Sequence, residues 1–278
     1  MEGQSPVYSI NNISLTEGEL KKIQQLVYEW AGIHMSDAKS SLIAGRLLKR
    51  LRFYNIKTYQ EYINIILDPK NKEEKQIMVN LLTTNETYFF REDAHLEYLN
   101  DIILPSIDTR YGTFRAWSAA ASSGQEAYSI SMILADTLKT GSWEIYGTDI
   151  NEDVLEKARQ GLYPIEAAQK IPQRYLKKYC LKGVRSQEGK FTVTDELKKH
   201  IRFEKFNLNE PFSDIGFFDV IFLRNVMIYF NMETKQKLID RIINVLKPDG
   251  YLIVGHSESL NSLNHDLKTV VPTVYKRK

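Results

Sequence analysis

The sequence predicts an α/β protein: a doubly wound, mainly parallel sheet with a small antiparallel insertion, preceded by an all-α bundle. Three observations carry that expectation. Apolar residues in the first ~80 positions recur at helical spacing behind capping signals. From residue 113 onward, short apolar runs alternate with helical runs of about ten to fifteen residues, the pattern of strands joined by crossover helices. Between residues 171 and 206 that alternation lapses into glycines and short alternating segments.

Thr16 and Glu19 have the spacing of a capping box, and Leu20, Ile23, Val27 and Trp30 follow at helical period. Ser36 is placed to cap a second helix over about residues 37–54. Thr58 and Glu61 repeat the capping-box spacing ahead of Tyr62, Ile63 and Ile66, and a fourth run reaches Leu82 after Asp68-Pro69. Four short helices with short joints make a bundle, and only helices are expected here. Strands are then predicted at 113–117, at 143–147 closing on Asp149, at 218–223 and at 251–255. Helical runs lie at 125–138, up to Arg159, and at 232–246, and Lys247-Pro248-Asp249-Gly250 reads as a turn. Gly183, Gly189 and the strand-like 190–194 predict a small β-subdomain between the second and third strand units. The expected layout is a helical domain over 11–83, a seam over 84–112 and a sheet domain over 113–278 with its insert at about 171–206.

At 278 residues two domains are the natural division, and 43% hydrophobic with 26% charged residues allows a sizeable core. A net charge of +2 gives no general attraction to nucleic acid or an anionic membrane. Cys180 is the single cysteine, so no intramolecular disulfide forms and the thiol suits a reducing compartment. His34, His95, His200, His256 and His265 are scattered, with no pair at ligand spacing on one helix, so no metal is expected. A polar N-terminus, and no run near the ~18 apolar residues of a membrane span, point to the cytoplasm.

Four segments could carry chemistry. The loop SAAASSG at 118–124 follows a strand and opens a helix, where small residues admit a ligand to the backbone, or simply make a tight turn. It is neither G-x-G-x-x-G nor a phosphate-cradling P-loop. Asp149, 25 residues beyond Gly124, ends the second strand, where an acid accepts ribose hydroxyls; it could instead cap the helix beginning near Asn151. With no phosphate device, adenosine without a pyrophosphate fits better than a dinucleotide, and S-adenosylmethionine is the candidate. In LRNVMIYF at 223–230, Arg224 and Asn225 lie at the carboxyl edge of the sheet. Tyr229 could turn its hydroxyl into the same crevice or pack with Phe230 at a corner. Last, TTNETYFFRE at 83–92 puts Asn85, Thr87 and Arg91 among apolar neighbours at the seam, as a ligand site or an ordinary linker.

Together these segments resemble the chemotaxis receptor glutamate methyltransferases. The matching pieces are TTNETYFFRE at 83–92, RAWSAAASSGQEAYS at 115–129, GTDINEDVLEKARQGLY at 147–163, FNL at 206–208, FFDVIFLRNVMIYF at 217–230 and LKPDGYLIVGHSES at 246–259. The resemblance implies a Rossmann-like S-adenosylmethionine-dependent methyltransferase, with S-adenosylhomocysteine as product and no metal. Its cofactor would be held by Asn85, Thr87, Arg91, Glu126, Asp149, Asn207, Leu208, Arg224 and Asn225. Where the family has Glu-Glu-Pro this chain has Gln125-Glu126-Ala127, and Glu126 keeps the ligand position.

The implied acceptor is a glutamate carboxylate on the cytoplasmic helices of methyl-accepting chemotaxis receptors. Only roughly one free glutamate in 500 is protonated at pH 7, so such an acceptor needs no general base, only alignment and desolvation. Arg91 suits a clamp for the incoming carboxylate, or for the carboxylate of the methionine moiety, and Tyr229 could orient the acceptor. On the predicted helix 37–54, Lys39, Arg46, Lys49 and Arg50 fall within about 100° of one another. That basic stripe is a docking face for a glutamate-rich helix, or a solvated surface. The insert resembles the family's β-subdomain, which in some members holds a peptide from the receptor's C-terminus. Two rivals stay open: a methyltransferase with another acceptor, and a non-catalytic module that senses the cofactor. A nucleic-acid methyltransferase is disfavoured by the near-neutral charge and the lack of an N-P-P-Y-type tetrapeptide after residue 223.

Overall fold

The computed structural model describes residues 6–10, 13–107, 112–138 and 142–278. They divide into two units, Met1–Thr84 with Tyr229–Asn231, and Asn85–Ile228 with Met232–Lys278.

The first unit is not made of helices only. Strand β1 (Pro6–Ile10) pairs antiparallel with β2 (Ile13–Thr16) before the first helix begins. Strands this short leave too few alternating positions to be told from a polar leader. Thr16 then opens α1 (Glu17–Ala31) through the capping box read from the sequence, and Gly32 ends it at a φ of 70° that glycine adopts without strain. Ser36 makes no cap hydrogen bond; a 3₁₀ turn, Asp37–Lys39, leads into α2 (Ser40–Phe53). The second capping box forms at Thr58 ahead of α3 (Tyr59–Leu67), and α4 (Lys72–Leu82) completes the bundle. Ile23 and Val27 of α1, Ile43 and Leu47 of α2, Tyr62 of α3 and Met78 of α4 meet in its core.

A buried carboxylate ties the bundle together. Glu74, 3% exposed, accepts from Arg50 Nε and Nη2 at 2.7 and 2.5 Å, from Tyr62 at 2.7 Å and from Tyr54 at 2.9 Å. Burial pushes its carboxyl up, but the bonds from Arg50, Tyr62 and Tyr54 together hold it below the ordinary range.

In the second unit the stretch expected to be a seam folds into α5 (Asp93–Tyr98), a π-helical turn (Leu99–Ile103) and α6 (Leu104–Ser106). Leu96, Leu99 and Ile103 join the core of the sheet unit. The sheet then builds through β3 (Phe114–Ala119), α7 (Gln125–Thr137), β4 (Trp143–Asp149) and α8 (Glu152–Gln160). The inserted sheet consists of β5 (Leu162–Pro164), β6 (Cys180–Lys182) and β7 (Lys190–Val193), with α9 (Gln173–Tyr179) between the first two. These strands run antiparallel in the order β5-β7-β6. The insert thus begins earlier than residue 171. After α10 (Asp195–Lys198), Ile201–Lys205 leaves it to become β8 of the main sheet. As an edge strand β8 keeps exposed positions and reads in sequence like an antiparallel one.

The chain closes with β9 (Phe218–Leu223), α11 (Met232–Val245), β10 (Leu246–Val254) and a hairpin of β11 (Lys268–Val271) and β12 (Val274–Lys276). The seven strands lie in the order β11-β12-β10-β9-β3-β4-β8. Neighbours from β10 to β8 are parallel, and β12 is antiparallel to both β10 and β11. Val220, Ile221, Phe222 and Leu223 are fully buried because central parallel strands have helices on both faces.

Candidate active site

From β3 the chain steps through β4 to β8 on one side, then crosses to β9 and steps out to β10 on the other. The carboxyl ends of β3 and β9 therefore flank a topological switch, where open α/β sheets receive ligands. Register pairs Ala119 with Thr148, Asp149 with Lys205 and Leu223 with Val254, so the loops that follow these strands share one edge.

The loop after β3 is held in an unusual shape. Ala120, Ser122 and Gly124 all have positive φ, at 74°, 50° and 93°. A Cβ on Gly124 would come within 2.9 Å of Ala158 Cβ, so glycine is required where α7 packs close to α8. Asp149 fixes that shape: Oδ2 accepts from Ser122 N and Oδ1 from Asn151 N, both at 2.9 Å, and Ile150 N adds a third bond. Asn151, not Asp149, caps α8 by accepting from Asp153 N at 3.0 Å. Burial raises the Asp149 carboxyl above its ordinary range, opposed by those backbone N–H groups. A carboxylate offers about four lone-pair positions, so one remains for a ligand hydroxyl.

Arg224 and Glu126 meet across the switch. Glu126 accepts from Ser118 Oγ at 2.7 Å and from Arg224 Nη1 at 2.8 Å. The Arg224 side chain, 2% exposed, also donates to the Arg91 carbonyl and to Glu92 Oε2 at 3.1 Å. Burial raises the Glu126 carboxyl, against the pull of Arg224 and Ser118. Asn225, at a φ of 58°, donates through Nδ2 to Glu92 Oε1 at 3.0 Å and through its backbone N–H to Glu258 at 2.7 Å. Arg224 is thus a buried brace between β9, α7 and the segment before α5.

Among the other residues named from the sequence, Asn207 follows β8 and makes a tight turn, accepting from Asn209 N at 3.0 Å beside buried Leu208. Asn85 accepts at its carbonyl from Ser122 Oγ at 2.8 Å, which joins it to the loop after β3. Thr87 is half-buried a few residues on. Arg91 donates through Nη1 to the Glu86 carbonyl at 2.9 Å and lies 5.8 Å from the Tyr88 ring centre. Tyr229 groups with the helical unit rather than with Asp149 and Arg224. Its carbonyl accepts from His34 N at 2.7 Å, and Lys39 Nζ sits 5.4 Å from its ring centre.

The basic stripe needs correction. Arg46 Nη1 donates to the carbonyls of Leu81, Leu82 and Thr83 at the end of α4, and Arg50 is bound to Glu74. Lys49 is the member of the four that stands exposed. A helical wheel shows direction and not partners, so two structural arginines read as surface charge.

Two acids, a serine and a histidine at this edge are not among the site residues named from the sequence. Glu92 receives Asn225, Arg224 and His256 N; burial pushes its carboxyl up, yet these bonds bring it below the ordinary range. Glu258 accepts from the backbone of Asn225, Gly255 and Ile228. Ser118 is buried against Glu126, and His95 is buried against Glu92. Both acids lie inside the quoted motifs at 83–92 and 246–259, the only signal that marks them.

Comparison with known proteins decides the family. The model described as "CheR methyltransferase, SAM binding domain" matches residues 85–276, and "CheR methyltransferase, all-alpha domain" matches 18–83. The chain belongs to the chemotaxis methyltransferase family. It is 40% identical over 266 residues to the chemotaxis protein methyltransferase of Escherichia coli (strain K12), covering 95% of this chain and 92% of that one. Chemotaxis protein methyltransferase 2 of Pseudomonas aeruginosa is 37% identical over 276 residues, covering 98% and 97%. That of Borreliella burgdorferi is also 37% identical over 276 residues, covering 96% of each. This methyltransferase is accordingly an S-adenosylmethionine-dependent enzyme of chemotaxis.

The crevice fits that cofactor. Glu126 occupies the first turn of α7, where a dinucleotide would place its pyrophosphate, so two phosphates there would meet a carboxylate. A sulfonium and an ammonium carry the opposite charge and suit the acids that line this edge. Among the described residues no helix is long and apolar enough to cross a membrane.

Proposed function

We propose that the chain transfers methyl groups to glutamate side-chain carboxylates of methyl-accepting chemotaxis receptors, forming glutamate 5-O-methyl esters in sensory adaptation. The observation that carries this reading is the state of the crevice acids. Glu92, Glu126, Glu258 and Asp149 are each committed to hydrogen bonds that shape the site. An alcohol or amine acceptor calls for a base to take its proton, whereas a carboxylate arrives already deprotonated at neutral pH.

Bound S-adenosylmethionine would supply an electrophilic methyl group on a sulfonium. Asp149 would hold its ribose through the acceptor position left after three backbone bonds. Asn85, Thr87, Glu126, Asn207, Leu208, Arg224 and Asn225 would frame the rest of the cofactor. Arg91, with donors to spare, would clamp either the acceptor carboxylate or that of the methionine moiety, and Tyr229 would orient the acceptor. The reaction then depends on alignment and exclusion of water more than on proton transfer. The cytoplasmic receptor helix would dock on the helical unit near Lys49. A receptor's C-terminal peptide would find the inserted sheet, whose edge strand β6 exposes Leu181.

The test is transfer of labelled methyl from S-adenosylmethionine to receptor cytoplasmic fragments, scored for release by mild alkali. An alkali-labile product is expected, and Arg91→Ala should lower its rate at least tenfold. A stable product, or transfer to no receptor, would overturn the proposal. Arg91→Ala at wild-type rate would remove Arg91 from the mechanism.

A further inference from the structure

The inserted sheet reaches the cofactor edge through one hydroxyl. Tyr163, the middle residue of β5, pairs with Phe191 of β7 and is 4% exposed. Its ring packs against Phe89, Phe191 and Tyr128, at centre distances of 4.9, 5.7 and 6.2 Å. Pro164 follows it and confines its backbone to the extended region that a strand needs. A ring held by a strand, a proline and three aromatic neighbours can aim its hydroxyl. That hydroxyl leaves the insert and donates to the Ser123 carbonyl at 2.7 Å, in the loop after β3.

The loop needs such a fastening. Ala120 and Ser122 hold left-handed φ values, which cost any residue with a side chain, so partners outside the loop must keep its shape. The Thr148 carbonyl accepts from Ala121 N at 2.7 Å, Asp149 from Ser122 N at 2.9 Å, and the Asn85 carbonyl from Ser122 Oγ at 2.8 Å. Tyr163 takes the next residue, just before α7 begins. Gly124 makes room for it, since a Cβ there would lie 3.1 Å from the Tyr163 hydroxyl. Burial, then Tyr128 and Cys180, push that hydroxyl well above its ordinary range, so it stays a donor at any working pH. A phenylalanine would fill the same space among Phe89, Phe191 and Tyr128. The buried oxygen is therefore not needed for packing, and its desolvation is offset by the bond to the loop.

We propose, on the reading that this loop and Asp149 seat the cofactor, that Tyr163 is a positioning residue for S-adenosylmethionine. By holding the Ser123 carbonyl it keeps the loop after β3 in the shape that receives the ligand. The inserted sheet is then a working part of the cofactor site as well as a place where a partner could dock. This role does not depend on which acceptor takes the methyl group, and binding alone reads it.

Calorimetry of S-adenosylhomocysteine on the full chain, with Tyr163→Phe and Tyr128→Phe side by side, tests it. Tyr128 is the matched control: its hydroxyl is also buried and donates at 2.7 Å, but to the Ala158 carbonyl in α8 and not to the loop. One lost hydrogen bond of this kind changes an equilibrium constant by about two- to tenfold. Both variants should melt slightly and similarly below wild type, and only Tyr163→Phe should weaken S-adenosylhomocysteine binding, by about fivefold. Tyr163→Phe that binds as tightly as wild type, or equal weakening in both variants, overturns the proposal. Asp149→Asn in the same assay separates two kinds of failure. If it weakens binding and Tyr163→Phe does not, the Tyr163 assignment alone falls; if neither does, the loop is not the seat of the cofactor.

Discussion

Replacing Asp149 with asparagine separates its work on the protein from its proposed work on the cofactor. The carboxylate now receives three backbone N–H bonds around a side chain 7% exposed. The amide keeps one oxygen and turns the other into a donor, so either Ser122 N, Asn151 N or the ribose faces a donor. A lost bond to a charged acceptor is worth about 1.5–3 kcal/mol, which is roughly ten- to a hundredfold in an equilibrium constant. Calorimetry with S-adenosylhomocysteine and with its 2′,3′-dideoxyribose analogue reads where that loss falls. Wild type should bind the dideoxy analogue at least tenfold more weakly, and Asp149→Asn should barely distinguish the two, since both changes remove one interaction. If the variant discriminates as strongly as wild type, the ribose is held elsewhere and Asp149 serves only the loop.

Glu74→Ala leaves Arg50 without its partner and two tyrosine hydroxyls unsatisfied, Tyr62 fully buried. The expected cost is about 3–4 kcal/mol, discounted because Arg50 can turn partly to water, and calorimetric melting of the helical unit reads it. Because the folded Glu74 carboxyl lies below its ordinary range, its contribution is present above the usual glutamate pKa and is lost as pH falls through the folded value. The gap between wild type and Glu74→Gln should accordingly close on acidification. Arg50→Glu should unfold the helical unit, whereas Lys49→Glu should leave its melting unchanged and slow receptor methylation in a salt-dependent way. Burial pushes the Cys180 thiol up to about 12, so alkylation by iodoacetamide at pH 8 should be on the order of a hundredfold slower in the folded chain than in denaturant.

Much of this molecule was legible in its sequence because the signals are local. The capping boxes at Thr16 and Thr58, the strand Phe218–Leu223 and the glycine at 124 each report a constraint satisfied within a few residues. The placing of Asp149, Arg224 and Asn225 on one edge of the sheet followed from strand ends alone, since parallel strands deliver their carboxyl termini to the same side. Where the reading failed, pairing was long-range. Nothing near Arg50 announces Glu74, and nothing near Ile201 says that this strand pairs with β4 rather than with the insert. The five histidines looked scattered because spacing along one helix was the criterion, while His95 and His256 meet only when the loop after β10 returns to α5. Local sequence determines which backbone shapes are favourable and which faces are apolar. Only the tertiary structure decides which buried charges find each other, because a partner's identity is set by distance in space and the cost of burying a charge alone.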